Sequence, residues 1–428
     1  MSGGTAEDCR CITLSRRAAL RAAAFPTLVR WKDFSSRLSI PELLRPGVPR
    51  AVHVDFFRLR TQHKFHRLAG QEDFMTSQSA IAVILATHTP ELFAAAVQRA
   101  TGLLRAGEVV ALPTETVYGL AANALDAEAV ARIYEIKGRP AQNPIIVHIA
   151  SVEMAKRCVA DWPVAAEKLA NAFWPGPLTL VLPKAVEIPG IVTAGGATVG
   201  VRWPSHPFIQ AVIRECGFPL AAPSANLSNR ISPTNAEHVR QQLGGKLSLI
   251  VDGGQAQVGI ESTVLDLTVS PSRVLRPGMI HVESLAAVVG EVQGPESGVQ
   301  NPSSALRSPG LLPKHYSPKA RLVVWTWRDE ADLKGQVCRA ELGVARSKIR
   351  VIAHTRIPSG KAFAGVNVIP HDAEAFARAL YAELHRCDEA GAEMIVVEAP
   401  PDEPAWMAIA DRLRRAASEI EQPDAERL

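Results

Sequence analysis

One stretch of the chain, residues 112–149, places side chains that could do chemistry between apolar segments. Hydroxyl groups come first, in P-T-E-T, followed by two cations in K-G-R-P and a histidine in N-P-I-I-V-H-I. Hydroxyl and imidazole groups can bind the polar groups of a substrate, and adjacent cations can neutralise an anion. This concentration of polar groups predicts a binding or catalytic site.

Lys137 and Arg139, the two cations, also have a simpler explanation. Asp126 is a favourable N-cap and Gly138 a favourable C-cap, so a helix is predicted between them and both cations lie at its end. Cations there complement the helix dipole and stabilise the helix by about 0.3–1 kcal/mol each. Taken alone, the two residues favour this structural role over a functional one.

The elements that would position these groups follow from the spacing of apolar residues. Strands are predicted at 109–112, which Pro113 ends, and at 145–149, which carries His148. Arg202 falls at the end of another predicted strand, where sheet proteins tend to build sites. The other predicted helices are 91–106, 164–173, 208–216, one that starts at Ser232–Thr234, 373–387 and 405–417. The other predicted strands are 178–182, 198–202, a short one from Leu220, 249–251, 263–267, 322–325, 349–353 and 394–397.

A loop of small residues, A-A-P-S-A-N at 221–226, follows one of these strands. Small residues let a ligand approach backbone N–H groups, which phosphate binding requires when there is no Walker motif. No Walker motif is present, because its nearest candidate, Gly245-Lys246, has Arg240 at the first glycine position and Leu247 in place of Ser or Thr. A phosphate site, if present, must therefore be built from other loops.

The length of 428 residues exceeds one typical domain, so two domains with extensions are expected. The 47% hydrophobic and 21% charged residues are typical of globular proteins. Residues 1–74 hold 13 Lys/Arg against 7 Asp/Glu, so this segment carries +6 and the remainder of the chain −2. Any basic site in the remainder must therefore be a local cluster of cations.

Residues 1–74 match no motif described below, and weak order is expected for them. Glu7 and Asp8 argue against an organelle-targeting peptide, and no apolar signal core follows. An accessory tail, or an upstream start before a true start at Met75, explains the segment better. A weak contact of this basic segment with RNA is left open.

The six cysteines are scattered and form no C-x-x-C pair, which favours a reduced, cytoplasmic location without structural zinc or disulfides. No apolar run approaches the roughly 18–20 residues needed to span a bilayer, so no membrane association is expected.

Several motifs in one order carry a family resemblance. P-T-E-T-V-Y-G-L, K-G-R-P, N-P-I-I-V-H-I, W-P-G-P-L-T, A-P-S-A-N and S-P-T resemble the YrdC-like family of threonylcarbamoyl-AMP synthases. K-H-Y-S-P, at 314–318, resembles the K-H-Y-x-P element of the two-domain members. The resemblance spans roughly residues 91–428.

The resemblance implies an α/β fold, with a YrdC-like twisted sheet flanked by helices and a smaller Rossmann-like α/β C-terminal domain that lacks G-x-G-x-x-G. The expected division is an N-terminal extension at 1–74, a catalytic domain at 75–290, a linker or lid at 291–319 that closes over the site, and the C-terminal domain at 320–428. Strand and helix alternation in the last segment agrees with that expectation.

The reaction implied by the resemblance joins L-threonine, bicarbonate and ATP into L-threonylcarbamoyl-adenylate, with release of pyrophosphate. The product is the activated intermediate for modifying adenosine beside the tRNA anticodon, so the expected partner is the downstream tRNA threonylcarbamoyl transferase machinery. A carbamate and ATP are both anionic, so cations must neutralise their repulsion. No metal-binding residues are expected, and Mg²⁺ would be carried by the triphosphate.

The same resemblance assigns the site residues. L-Threonine would be held by Thr116, His148, Arg202, Ala222 through its backbone, and Ser262. ATP would be held by Lys137, Arg139, Asn143, Thr198, Ser224, Ser232, Arg276 and Tyr316. Of these, Lys137, Arg139 and Arg202 are the expected catalytic cations. From the residues alone, a core histidine is the favoured interpretation of His148, which the resemblance reverses, and Thr116 and Asn143 could be turn caps.

Two alternatives compete with this function. Carbamoyl transfer for hydrogenase maturation shares the domain, but it would require an acylphosphatase-like module and paired C-x-x-C zinc fingers, and the sequence has neither. A non-catalytic RNA-binding or ribosome-assembly protein would use basic residues to attract phosphate. That function does not explain the non-basic P-T-E-T and P-S-A-N loops.

Overall fold

The computed structural model describes residues 82–295, 308–309, 315–340 and 343–418. The predicted N-terminal extension and most of the predicted linker therefore lie outside the described residues. Within them, the chain forms two sheets, one in residues 82–295 and one in residues 315–418. We call these segments the large-sheet half and the small-sheet half.

The large-sheet half contains an eleven-stranded mixed sheet in the order β1-β8-β2-β3-β7-β4-β6-β5-β9-β10-β11. Its strands are β1 (Val83–Ala86), β2 (Val110–Leu112), β3 (Gly119–Asn123), β4 (Val147–His148), β5 (Leu178–Pro183), β6 (Thr198–Arg202), β7 (Leu220–Ala221), β8 (Leu249–Asp252), β9 (Thr263–Asp266), β10 (Ser272–Arg276) and β11 (Val292–Gln293). Its helices are α1 (Pro90–Arg105), α2 (Ala127–Lys137), α3 (Val152–Cys158), α4 (Val164–Phe173), α5 (Pro207–Cys216), α6 (Ala236–Leu243) and α7 (Val282–Val289).

The small-sheet half contains a four-stranded parallel sheet in the order β12-β15-β13-β14. Its elements are β12 (Arg321–Trp325), α8 (Glu330–Arg339), β13 (Ile349–Ala353), β14 (Gly365–Val368), α9 (Ala373–Glu389), β15 (Met394–Glu398) and α10 (Met407–Ala416), with two short 3₁₀ helices at Arg346–Lys348 and Pro404–Trp406. Parallel strands joined through helices are the arrangement of a Rossmann-like domain. The predicted fold class is confirmed.

Local capping fixes the helix that carries the paired cations. The Asp126 carboxylate accepts hydrogen bonds from the N–H groups of Glu128 and Ala129, at 2.9 and 3.2 Å. At the other end of α2, Gly138 adopts a left-handed conformation with φ of 59°, which glycine reaches without steric cost. Both predicted caps are confirmed, and they place Lys137 in the last turn.

Some predicted boundaries differ from the structure. Helix α6 does not start at Ser232–Thr234 but at Ala236, because the Asn235 side chain caps it by accepting a hydrogen bond from the His238 N–H at 2.9 Å. The strand predicted over 145–149 is shortened to β4. Eight strands and α-helices of the described residues had no prediction, because these short segments carry weak periodicity: β1, β3, β10, β11, β14, α3, α7 and α8.

Strand pairing brings two predicted site residues together. Strands β4 and β6 are parallel neighbours, and His148 lies opposite Arg202 in their register. Strand β7 pairs with the other edge of β4 in antiparallel direction, so the small-residue loop after it starts beside the same strand. Arg202 therefore lies beside the end of β4, whereas the small-residue loop leaves beside its beginning, where the Ala222 N–H donates to the Ile146 carbonyl at 3.2 Å.

The two halves share a hydrophobic core. Val117, Ile231 and Ile260 of the large-sheet half pack in one buried cluster with residues of α9 and α10. The backbones of the two halves approach closely at Gly259, where an added Cβ would overlap the Arg378 backbone of α9. The loop that carries Gly259 is held from its other side by Thr116, whose carbonyl accepts the Gly259 N–H at 3.1 Å. Helix α9 therefore packs against the Gly259 loop, which in turn is hydrogen-bonded to the P-T-E-T segment.

Among the described residues, no helix combines the length and the apolar character that crossing a bilayer requires.

Replacing Gly259 by alanine is expected to destabilise the protein by about 2 kcal/mol or more, because the new methyl group meets α9 backbone and φ is +83°. Gly195→Ala is the matched control, since Gly195 has a similar φ of +80° but open space around it, and about 1 kcal/mol is expected there. Urea unfolding of both variants measures the difference. Equal destabilisation would contradict the close contact between the halves.

Candidate active site

One cleft collects nine of the thirteen predicted site residues. It is bordered by the loop after β2, the ends of β4, β6 and β10, the loops after β7 and before β9, and two short segments of the predicted linker. Its lining consists of Thr114, Thr116, Val117, Gly119, Arg139, Ile146, His148, Arg202, Ala222, Pro223, Ser224, Glu261, Ser262, Arg276, Pro309, His315 and Tyr316. Lys137, Asn143, Thr198 and Ser232 are the predicted residues outside this lining.

Arg202 is fixed by the P-T-E-T loop. Its Nη1 donates to the Thr116 Oγ1 at 3.0 Å, and its Nε donates to the Gly176 carbonyl at 3.2 Å. Its Nη2 lies 2.7 Å from the Glu115 Oε1 in an ion pair whose side chains are 5% and 6% exposed. Burial raises the pKa of Glu115, but the charge of Arg202 and the hydrogen bonds from Arg202 and from backbone N–H groups together lower it by more, so the pKa is lowered overall and the carboxylate stays ionised.

His148 presents a neutral imidazole to the cleft. It is buried, and burial, followed by the charge of Arg202, lowers its pKa to about 3. Its Nδ1 is buried without a hydrogen-bond partner among the described residues. A core histidine would be expected to have both nitrogens paired, so this unpaired nitrogen favours a role toward a ligand.

Arg139 is oriented by the turn that follows α2. Its Nε donates to the Asn143 carbonyl at 2.9 Å, and its Nη2 donates to the Asn143 Oδ1 at 2.8 Å and the Pro144 carbonyl at 2.5 Å. Burial lowers the pKa of Arg139 to about 10. The Asn143 side chain therefore contacts Arg139 and does not line the cleft itself.

Arg276 joins two loops of the cleft. Its Nε and Nη2 donate to the Ser262 carbonyl at 3.1 and 2.9 Å, and Nη2 also donates to the Ser262 Oγ at 3.1 Å. Its Nη1 donates to the Pro309 carbonyl at 3.3 Å. The Ser262 hydroxyl is further held by Thr179, with 2.8 Å between the two hydroxyl oxygens. Arg276 thus fixes Ser262 and one described segment of the predicted linker.

Lys137 lies behind the cleft and differs from the expectation that it lines it. Its Nζ donates to the carbonyls of Ser224 and Asn226, both at 2.6 Å, and to the Asn226 Oδ1 at 3.3 Å. A lysine ammonium has three donors, so all three are used. Burial, followed by the charge of Arg139, lowers the pKa of Lys137 well below its usual value. In this arrangement Lys137 anchors the small-residue loop.

Two further predicted residues lie beside the cleft. Thr198 begins β6, at the opposite end from Arg202, and lines a narrow side pocket that shares Ile146 and Pro309 with the cleft. Ser232 is fully buried, and its Oγ donates to the Glu261 Oε1 at 2.6 Å. Ser232 therefore reaches the cleft only through Glu261.

Tyr316 enters the cleft from the described end of the predicted linker. Its hydroxyl is buried and has no hydrogen-bond partner in the described part of the chain. Its φ of 63° is in the left-handed region, which is uncommon for a bulky residue and marks a constrained position. The adjacent His315 also lines the cleft, and its Nδ1 is likewise unpaired.

Residue-by-residue reasoning missed Glu115, Glu261 and His315. Glu115 and His315 stand in the motifs P-T-E-T and K-H-Y-S-P quoted above, whereas Glu261 stands in G-I-E-S at 259–262, a segment that received no prediction. Cations were expected to neutralise phosphates, so carboxylates received no role. A buried glutamate beside a predicted cation is the signal that could have found Glu115, whereas the partner of Glu261 lies 151 positions away.

Within the described part of the chain, no group of three or more His, Cys, Asp or Glu side chains is arranged to hold a metal ion.

Two family models match the chain. One, Sua5_yciO_yrdC, described as "Telomere recombination", matches residues 102–278. The other, Sua5_C, described as "Threonylcarbamoyl-AMP synthase, C-terminal domain", matches residues 280–418. Together they cover most of the two halves.

Individual relatives agree with the family models. The threonylcarbamoyl-AMP synthase of Pyrococcus abyssi is 41% identical over 74% of this chain and 93% of its own length, and that of Bacillus subtilis is 40% identical over 78% and 94%. A crystal structure of P. abyssi Sua5 complexed with L-threonine superposes with a TM-score of 0.71 at 38% identity, covering 79% of this chain and 97% of that one. The chain therefore belongs to the threonylcarbamoyl-AMP synthase family.

Proposed function

We propose that this protein makes L-threonylcarbamoyl-AMP and pyrophosphate from L-threonine, bicarbonate and ATP. Membership of the family supports the reaction, and a related structure that binds L-threonine supports the amino-acid substrate. Because the product carries an adenylate, its AMP must come from an adenine nucleotide, and ATP is the donor whose cleavage releases pyrophosphate. The product is expected to serve tRNA threonylcarbamoyladenosine modification.

The observation that carries this proposal is the charge of the cleft. Arg139, Arg202 and Arg276 reach it from three separate parts of the large-sheet half. Each guanidinium uses some donors on carbonyl or side-chain oxygens of the protein, and a guanidinium has five N–H donors in all. The remaining donors and the positive charge suit a cleft that must hold two anions together.

L-Threonine is assigned to the side of the cleft formed by β4 and β6. Arg202 would pair with its carboxylate, and the neutral His148 would hydrogen-bond a polar group of the amino acid. Thr116, Ala222 through its backbone, and Ser262 complete this group of residues. All five line the same cleft.

ATP is assigned to the side formed by Arg139, Arg276, Ser224 and Tyr316, which also line the cleft. Thr198 would contribute through the adjoining side pocket. Lys137, Asn143 and Ser232 would act through their neighbours, because their side chains bind the small-residue loop, Arg139 and Glu261 respectively.

The chemistry needs no covalent enzyme intermediate. The threonine amine and bicarbonate form a carbamate with loss of water. A carbamate oxygen then attacks the α-phosphorus of ATP, the bond to the β-phosphate oxygen breaks, and pyrophosphate leaves with the electron pair. Arg139, Arg202 and Arg276 neutralise the repulsion between the anions and the charge on the leaving group. Ser224 and Ser262 serve as hydrogen-bonding groups.

The proposal also covers the metal ion, the domain division, the cellular location and the enzyme that uses the product. Mg²⁺ would accompany the triphosphate, whose oxygens are the hard ligands that it prefers. The division at 75–290, 291–319 and 320–428, with the middle segment as a lid, is part of the same proposal. So are a cytoplasmic location and a transferase that consumes the activated product.

Pyrophosphate release tests the proposed function directly. Release is expected with L-threonine, bicarbonate and ATP together, and it should fall to background when either L-threonine or bicarbonate is omitted. Mass spectrometry of the reaction should detect threonylcarbamoyl-AMP. Release that does not depend on threonine would rule the assignment out.

Arg139→Ala is expected to reduce turnover by about 10²-fold or more, because a preorganised charge at the reacting phosphate is lost. Arg132→Ala, within the helix α2 that precedes Arg139, is the matched control, since that side chain is 45% exposed and pairs with Glu108. Steady-state pyrophosphate release measures both. A near-normal rate for Arg139→Ala would refute its catalytic role.

His148 is expected to make folding sensitive to acid. Its pKa is about 3 in the folded protein and near 6.5 in the unfolded chain, so between these values the unfolded chain binds the extra proton. Stability therefore rises with pH in this window and is lost as pH falls through it, by about 1.4 kcal/mol per pH unit for this one group.

Unfolding titrations between pH 6 and 4 measure this contribution. The slope of unfolding free energy against pH should be shallower in His148→Gln than in the wild type, and His88→Gln, at an exposed position, is the control for replacing a histidine by glutamine. Identical slopes for wild type and His148→Gln would show that the imidazole is not held neutral by the fold.

A further inference from the structure

A carboxylate, Glu261, lines the cleft although the proposed nucleotide is an anion. It is 7% exposed, and its Oε1 accepts the Ser232 hydroxyl at 2.6 Å. Its Oε2 accepts hydrogen bonds from the Arg412 Nε at 2.8 Å and from the Tyr381 hydroxyl at 3.1 Å. Arg412 belongs to α10 and Tyr381 to α9, so both of these donors come from the small-sheet half.

An uncompensated carboxylate in this position would oppose nucleotide binding. Burial raises the pKa of Glu261, but the charges of Arg412 and Arg276 and hydrogen bonds from Ser232 and Arg412 lower it overall, so the group is ionised. At low exposure the field of a negative charge is weakly screened, and it would repel the phosphates across the cleft. A cation must therefore stay beside Glu261.

Arg412 supplies that cation and contacts a second residue of the cleft. Its side chain is completely buried, and its Nη2 donates to the Glu261 carbonyl at 3.3 Å. Its guanidinium lies 5.4 Å from the centre of the Tyr316 ring, within the range of a cation–π interaction. Its Nη1 donates to the Asp411 carboxylate at 2.9 Å. Arg412 does not line the cleft, so it acts through Glu261 and Tyr316.

We propose that Arg412 is a positioning residue of the synthase site, which neutralises Glu261 and holds Glu261, Ser232 and Tyr316 in the geometry that accepts ATP. This inference rests on the proposed function. According to this inference, the small-sheet half does more than pack against the large-sheet half. Through the Arg412 side chain it also neutralises a carboxylate of the cleft.

Arg412→Met, which removes the charge and keeps most of the volume, tests the inference. We expect the KM for ATP to rise about tenfold or more, because Glu261 loses the cation that is hydrogen-bonded to its carboxylate, while L-threonine binding measured by calorimetry stays within about twofold. Arg414→Met is the matched control, because Arg414 also pairs with Asp411 but is 70% exposed. It should behave as the wild type.

The double variant Arg412→Met/Glu261→Gln separates charge compensation from simple packing. If Arg412 acts on the charge of Glu261, removing that charge should restore most of the ATP affinity; a purely structural arginine would give no such rescue. A wild-type KM for ATP in Arg412→Met, or a double variant no better than the single one, would overturn the proposal.

The double variant also decides the outcome should Arg412→Met fail to fold. ATP affinity of the double variant within about threefold of wild type then supports the inference, and loss of that affinity overturns it. Failure of the proposed function itself would be recognised separately, because the wild-type protein would then release no threonine-dependent pyrophosphate.

Discussion

The site depends on keeping positive charge at low exposure around one cleft. Burying an unpaired guanidinium is costly, so each of the three arginines must keep protein acceptors. Arg139 uses the turn at residues 143–144, Arg202 uses Gly176 and Glu115, and Arg276 uses Ser262 and residue 309. These loops take no part in the reaction, but their oxygens accept the hydrogen bonds of the buried guanidinium groups. Their positions are therefore needed to stabilise the buried charges.

Sheet order explains how acceptors and cations meet. His148 and Arg202 end two adjacent parallel strands, so the register of one strand pair sets the distance between an imidazole and a guanidinium. The loop after β7 then approaches from the other edge of β4, and Lys137 fixes it from behind through three hydrogen bonds. A buried ammonium used in this way defines the backbone path of a ligand-binding loop, since its three acceptors must converge on one atom.

Much of this arrangement could be predicted from local sequence. The caps of α2, the full extent of α4 and the position of Arg202 at a strand end follow from interactions within a few residues. The gathering of nine site residues followed from family motifs and not from periodicity. The role of Lys137 as an anchor of the small-residue loop could not be predicted, because its acceptors lie 87 and 89 positions away and no local sequence pattern indicates them. Likewise, a helix expected at Ser232 begins later because Asn235 is the better cap.

The ion pair between Glu261 and Arg412 joins residues 151 positions apart in the sequence, and it links the two halves of the chain at the cleft. The Glu261 carboxylate accepts hydrogen bonds from Ser232, in its own half, and from Tyr381 and Arg412, in the small-sheet half, so without the small-sheet half a buried charge would lose two of these three donors. Ile260 packs into the core of that half, and Gly259 allows its helix to approach. Three consecutive residues thus join the halves through conformational freedom, apolar burial and charge. Because Ser262 follows directly and binds Arg276, displacement of this loop would also displace the Arg276 guanidinium.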